Sequence, residues 1–223
     1  ALSKYIHYSI VMRQKIVIFD MDGVLFDTIP FAERTTMESY PGMTSEMYRE
    51  LHSGNYHEEL KKHTSLKREM SEEEEARRRV AYSEQKKEAS LFVGIESLLK
   101  DLRDAGYTLV LNSNAFTVNC LPLLERTGIK SLFDFIATAD LSKSKVEKFR
   151  LIEEKYHVGA GGMLFVTDAL GDVREAEFVG VPSIAVTWGV HDHTFFNREK
   201  HTHLIGIVDT VTELQNIIYR HFQ

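Results

Sequence analysis

Short, continuous apolar runs alternate with stretches of helical periodicity through most of the chain. The runs Lys15 to Phe19, Tyr107 to Leu111, Phe133 to Ala137, Met163 to Val166 and Ser183 to Val186 are too short and too unbroken for amphipathic helices, so they are predicted strands. Between them, apolar spacing predicts helices over Ile95 to Ala105, Val118 to Thr127, Val146 to Tyr156 and Asp172 to Val179. Gly106, Gly128 and Gly180 stop three of these, glycine being the residue that most easily turns a helix end. A last helix begins near Asp209, where Thr210 and Glu213 have capping-box spacing ahead of Leu214, Ile217 and Ile218. Strand and helix alternating in this way predict an α/β fold, a parallel sheet covered by helices in three α/β/α layers.

From about Thr28 to about Leu91 the rhythm stops. This stretch contains no β-like run and is dense in Glu, Lys, Arg, His and Met, which marks it as an inserted helical unit. The chain then divides into a core of residues 1–27 and 92–223 and an insertion of residues 28–91. Ser71 can cap a helix in which Glu73 and Arg77, Glu74 and Arg78, and Glu75 and Arg79 are each four apart. Such pairs stabilise an exposed helix by only ~0.2–0.5 kcal/mol each, so this run is a solvated face rather than a binding site.

Composition narrows the class. A chain of 223 residues with 43% hydrophobic content can bury a substantial core. A formal net charge of −6 excludes a broad electrostatic footprint for nucleic acid or anionic lipid, so an anionic substrate must be met locally. The single cysteine, Cys120, cannot form an intrachain disulfide, and a reducing, cytoplasmic setting is expected. Ala1 to Gln14 lacks a sustained hydrophobic run, and no later stretch is long enough to cross a bilayer, so neither a signal peptide nor a membrane span is expected. The residues before Lys15 are expected to form a loose tail or an extra surface element.

The chemistry lies in acidic residues just past predicted strands. Lys15 to Phe19 leads into Asp20-Met21-Asp22-Gly23, and Met163 to Val166 leads into Thr167-Asp168, with Asp172 four residues on. Open α/β sheets bind ligands at that carboxyl edge. If the two strands are neighbours, three or four carboxylates converge and resist ionisation unless a hard cation such as Mg²⁺ compensates them. Asp20 and Asp22, two apart, would face one reaction centre from an extended segment, and Gly23 permits a sharp turn beside the ligand. One acid can attack phosphorus while the other handles protons. Asn112-Ser113-Asn114 ends the second strand and supplies neutral donors; Lys143 or Lys145, ahead of the helix carrying Phe149, Ile152 and Tyr156, supplies positive charge.

Together these residues resemble the haloacid dehalogenase-like superfamily of phosphohydrolases. Its DxDGx motif is matched by Asp20-Met21-Asp22-Gly23-Val24, its strand ending in Ser or Thr by Leu109 to Ser113, its lysine by Lys145 with Lys143 as the alternative, and its final acidic motif by Asp168 and Asp172. The chain departs at Thr167, where Gly is common, and at Val146, where Pro is common. The resemblance implies a Rossmann-like core, a small helical cap closing over the substrate, and a Mg²⁺-dependent phosphatase working through an aspartyl-phosphate. It further implies Asp20 as nucleophile, Asp22 as acid and base, and Ser113, Asn114 and Lys145 as phosphate-binding. Asp20, Asp22 (through its carbonyl), Asp168 and Asp172 are the implied metal group. A small phosphorylated metabolite is the expected substrate, with no nucleic-acid or membrane partner, and a monomer or weak homodimer the expected assembly.

Each residue also has a plain structural explanation: turn or cap for the aspartates, turn for Ser113, surface for the lysines. Four motifs in the family order outweigh it. His191-Asp192-His193 and His201-Thr202-His203 suggest a transition-metal site, but alternate histidines in loops need not face one ion. Trp188 and Tyr156 are most simply core residues. Within the insertion, Arg34, His52 and Asn55 are the candidates to face substrate. A phosphomutase on the same scaffold, returning the phosphoryl group to a sugar hydroxyl, and a non-catalytic binding module are the competing functions.

Overall fold

The computed structural model describes residues 14–223; apart from Gln14, which is exposed, the expectation for residues 1–14 lies outside them. Six strands form one fully parallel sheet. They are β1 (Ile16–Phe19), β2 (Thr108–Asn112), β3 (Phe135–Ala137), β4 (Met163–Thr167), β5 (Ser183–Val186) and β6 (Leu204–Val208), in the order β3-β2-β1-β4-β5-β6. The order reverses direction between β1 and β4, which creates a crevice at their carboxyl ends. There Phe19 stands level with Leu111 on one side and Val166 on the other.

All four residues of β1 are fully buried because helices cover both faces of the sheet. Val17 and Phe19 pack with α5 (Ile95–Asp104), α6 (Thr117–Arg126) and α10 (Val211–His221) through Leu99, Leu123 and Leu214. Ile16 and Ile18 pack on the opposite face with α7 (Lys145–Tyr156) and α8 (Leu170–Phe178) through Phe149, Ile152 and Ala176. The three-layer α/β arrangement is therefore realised. Thr210 and Glu213 form the reciprocal capping box at the start of α10.

Two elements were not expected from the sequence. β6 was hidden because Leu204-Ile205-Gly206-Ile207-Val208 carries a central glycine and lies half-exposed at the sheet edge. The short helix α9 (His193–Phe196) is nucleated by the Asp192 carboxylate, which accepts from Thr194 N–H. α8 starts two residues earlier than its periodicity suggested, so Asp172 lies in its first turn rather than capping it.

Between β1 and α5 lie α1 (Ile29–Ser39), α2 (Ser45–Leu51), α3 (Tyr56–Lys61) and α4 (Glu72–Lys87). Ser71 caps α4 through Glu74 N–H. The Glu73–Arg77 and Glu75–Arg79 pairs form, at 3.3 and 3.7 Å. Glu74 and Arg78 do not pair as expected: Glu74 binds Arg68, and Arg78 reaches across to Glu38 and Thr35 of α1. A tertiary partner on the neighbouring helix displaces the local one. The chain enters and leaves this helical group side by side, with Asp27 N–H bonded to Ser90 O and Phe92 N–H to Leu25 O.

The helical group also docks on the far side of the sheet edge. Gly171 N–H donates to His52 O at 2.8 Å, and Arg198 pairs with Glu50 at 2.6 Å. Leu170 N–H donates to His191 Nδ1, which leaves Nε2 to carry the ring proton and donate to Arg49 O at 2.9 Å. The approach is so close that a Cβ at Gly171 would stand 2.3 Å from Gly54 O. Gly171→Ala must push the 52–55 segment away from α8. We predict faster amide exchange over residues 49–56 at a cost of about 1–3 kcal/mol in stability, with exchange in α5 unchanged; hydrogen-exchange mass spectrometry checks it.

Candidate active site

Asp20 continues β1 by one residue, its N–H bonded to Val166 O at 2.9 Å. Gly23 follows with φ of +72°, and a Cβ there would lie 1.9 Å from Asp168 Oδ2. Both the turn and the packing therefore require glycine. Gly189 closes the other side, where a Cβ would meet the same oxygen at 2.2 Å. Asp168 is thus seated between two glycine backbones. Among the described residues, Val190 N–H, at 2.7 Å, is the one protein donor to its carboxylate.

Lys145 is 1% exposed and begins α7. Its ammonium meets three acceptors: Asp20 Oδ2 at 3.0 Å, Asp172 Oδ2 at 3.1 Å and Asn112 O at 2.9 Å. Lys143 is exposed, and only its backbone carbonyl takes part, accepting from Asn55 Nδ2 at 3.4 Å. Thr167 has a definite task, since its hydroxyl donates to Asp172 Oδ2 at 2.8 Å.

The electrostatics follow from burial. Desolvation raises Asp20 to about 7, with Lys145 lowering and Asp172 and Asp22 further raising it. Asp168 is pushed well above the carboxylate range, first by burial and then by Asp20. Burial alone would depress Lys145, but Asp172 and Asp20 outweigh it and raise it, so it stays an ammonium.

Asp22 lines the same cavity as Asp20 but looks toward the helical group. Its carboxylate accepts from Thr28 Oγ1 at 2.6 Å and pairs with Lys86 Nζ, also at 2.6 Å. Lys86 stands at the end of α4 and is 1% exposed. Sequence reading missed it, because nothing local separates it from the other charged residues of α4. Lys148 was missed as well. It is buried one turn beyond Lys145, with Nζ donating to Ser113 O at 2.6 Å and Asn114 Oδ1 at 2.7 Å. Burial, then the neighbouring Lys145 charge, lowers it to about 7. The three-residue spacing on one helix face was its only signal.

Ser113 is fully buried, and its hydroxyl accepts from Ala115 N–H at 3.1 Å. Asn114, rather than Ser113, is on the cavity wall. The cavity holds about 320 Å³ between the sheet edge and the helical group. His52 and Asn55 line it; Arg34 does not, bonding Gln85 at 3.1 Å instead. The histidine pairs are scattered, with His193 on Asp209 and His201 on Glu177.

Among the described residues, no three His, Cys, Asp or Glu side chains are placed to hold one ion by themselves. Asp22 is paired with Lys86, and Asp20 and Asp172 share Lys145, which leaves the Asp168 carboxylate without a lysine partner. Four carboxylates face two ammonium groups, so two negative charges remain unmatched at the crevice. A hard divalent cation taking few carboxylates plus backbone and substrate oxygens fits that donor set.

Residues 17–186 match the haloacid dehalogenase-like hydrolase family. A phosphoglycolate phosphatase from Vibrio vulnificus is 26% identical over 193 residues, spanning 78% of this chain and 84% of its own. A haloacid dehalogenase-like hydrolase from Streptococcus pneumoniae superposes with a TM-score of 0.71 at 17% identity, covering 95% of this chain and 99% of its own. CbbY from Rhodobacter sphaeroides, solved with phosphate, superposes with a TM-score of 0.70 at 22% identity, covering 90% and 96%. Among the described residues no helix is long and apolar enough to cross a membrane. With its sheet order, its aspartates at the carboxyl ends of β1 and β4 and these matches, the chain belongs to the haloacid dehalogenase-like hydrolase family, as an enzyme of the phosphatase type.

Proposed function

We propose that this chain hydrolyses a small phosphorylated metabolite in the cytoplasm, using Mg²⁺ and an aspartyl-phosphate formed on Asp20. The observation that carries this reading is the pairing of Asp20 Oδ2 with Lys145 Nζ at 3.0 Å, in a cavity that Asp22 also lines. Residues 28–91 act as the cap and the remainder as the core.

The Asp20 carboxylate attacks phosphorus, and the ester P–O bond breaks. Asp22, which enters the cycle protonated, gives that proton to the departing oxygen. It then takes a proton from water, which attacks the aspartyl-phosphate, releases phosphate and restores Asp20. Lys145 offsets charge on Asp20 and the phosphoryl oxygens throughout, and Asn114 offers an amide at the cavity wall. Asp172, in the first turn of α8, holds Lys145 in place with the help of Thr167. Bound Mg²⁺, held by Asp20 and Asp168 with the Asp22 carbonyl and Asp172 as an outer partner, would supply the missing positive charge at phosphorus. Lys86 keeps the Asp22 carboxylate aimed at the cavity. Release of free phosphate, rather than an isomerised sugar phosphate, distinguishes this reaction from a phosphomutase.

Asp20→Asn is expected to lower turnover of aryl phosphates by on the order of 10³-fold or more; near wild-type Mg²⁺-dependent activity would remove Asp20 as nucleophile. The same variant has a pH signature. The folded state holds the Asp20 proton to about pH 7, whereas the unfolded chain releases it near pH 4. The folded state therefore loses stability as pH rises between those values, and the penalty is complete above the upper one. Metal-free Asp20→Asn should melt higher than wild type at pH 8, by a margin that shrinks toward pH 5.

Lys145→Ala should lose activity, whereas Lys143→Ala should retain most of it; the reverse pattern in a steady-state assay would exchange their roles. Beryllium fluoride with Mg²⁺, at roughly a hundredfold over the dissociation constant, should raise the melting temperature by about 5–10 °C. No shift at saturation would count against an aspartyl-phosphate site.

A further inference from the structure

Both positive charges lining the cavity are already matched to carboxylates. Lys145 is held by Asp20 and Asp172, and Lys86 by Asp22. Among the described residues these two are the only ammonium or guanidinium groups on the lining. Lys86 is buried and directed at Asp22, so its charge is used where the ester oxygen departs, not at the far end of a leaving group. Lys148 is outside the lining, bonded to Ser113 and Asn114. Lys143 is exposed and also outside it.

The histidines add no charge. Burial, reinforced by the neighbouring His191, lowers His52 to about 4, and burial and Lys143 lower His57. Both are neutral at physiological pH.

Beyond the aspartates, the rest of the wall is uncharged, apolar or bearing neutral hydroxyls and amides, and includes Ile29, Tyr48, Tyr56, Tyr82, Phe116 and the amides Asn55, Asn114 and Asn119. The Tyr48, His52 and Tyr56 rings pack edge to face or tilted, with centroids 4.9–6.5 Å apart. Tyr56 OH is bonded to Thr36 Oγ1 at 2.9 Å. Burial raises all three tyrosines, Tyr56 to about 12, so their hydroxyls remain neutral.

We propose that the leaving group is an uncharged hydroxyl compound with an apolar face, and that this chain discriminates against esters bearing a second anionic group, such as the phosphoglycolate named for its relatives. The inference rests on the phosphatase reading. A carboxylate carried into this cavity would be desolvated against rings and four aspartates with no cation of its own, and burying an unpaired charge is strongly unfavourable. Rings and hydroxyls instead suit an aliphatic, aryl or polyol surface, which they contact without requiring charge.

Matched substrates test it on the Mg²⁺-loaded, full-length enzyme: phenyl phosphate against 4-carboxyphenyl phosphate, and ethyl phosphate against 2-phosphoglycolate. The neutral member of each pair should have the higher kcat/KM by at least about tenfold. Phe116→Lys, which places an unpaired ammonium on the lining, should narrow both gaps by improving the carboxylated member. Equal or reversed preference in the wild type overturns this inference while leaving the phosphatase reading intact. An unchanged gap in a Phe116→Lys enzyme that still turns over the neutral esters overturns the charge argument. Failure of a correctly melting enzyme to hydrolyse any of the four esters overturns the phosphatase reading itself.

Discussion

A single buried ammonium organises the carboxyl edge of the sheet. Lys145 Nζ lies within 3.1 Å of Asp20, Asp172 and the Asn112 carbonyl, so one positive charge joins the ends of β1 and β2 to the first turn of α8. Without it, carboxylates brought together by neighbouring parallel strands would repel one another in a poorly solvated crevice. The lysine offsets only part of that charge. The high affinity of Asp20 and Asp168 for protons expresses the remainder, and the same excess makes the crevice attractive to a divalent cation.

A second ammonium ties Asp22 to the helical group. Lys86 comes from α4, whereas Asp22 belongs to the loop after β1, so the placement of the Asp22 carboxylate depends on how the two parts sit. Contacts on the opposite flank hold the same arrangement: Gly171 on His52, His191 on Arg49, and Arg198 on Glu50. The strand-end carboxylates and the helical group are consequently linked through hydrogen bonds and ion pairs. The helical group contributes rings and the Lys86 ammonium to the walls enclosed by this arrangement, while the four aspartates and Lys145 come from the strand ends and the helices that follow them.

Glycines set the tolerances. Asp168 is flanked by Gly23 and Gly189 at distances no side chain could occupy, and Gly171 lets α8 approach the backbone of the helical group directly. These positions explain why an acidic group can be seated so deeply yet remain next to Asp20: the backbone itself forms the walls of its niche.

Much of this was legible in the chain alone. Five strands, the five longest core helices, the helical stretch after β1 and the aspartates at the strand ends are all encoded locally, because a continuous apolar run, a 3.6-residue period or a glycine stop acts over a few neighbours. The positions of Asp20, Asp168 and Asp172 followed from the same local rule, that a parallel strand delivers its next residue to the carboxyl edge. What the chain did not display were the partnerships formed across it. Lys86 meeting Asp22 over 64 positions, Lys148 bracing Ser113 and Asn114, Arg78 leaving Glu74 for α1, and the half-exposed edge strand β6 are decided by which surfaces pack together. The choice between Lys143 and Lys145 is of this kind as well: both precede the same helix, and only three-dimensional packing directs one into the crevice and leaves the other in water, because side-chain burial depends on neighbours far away along the chain.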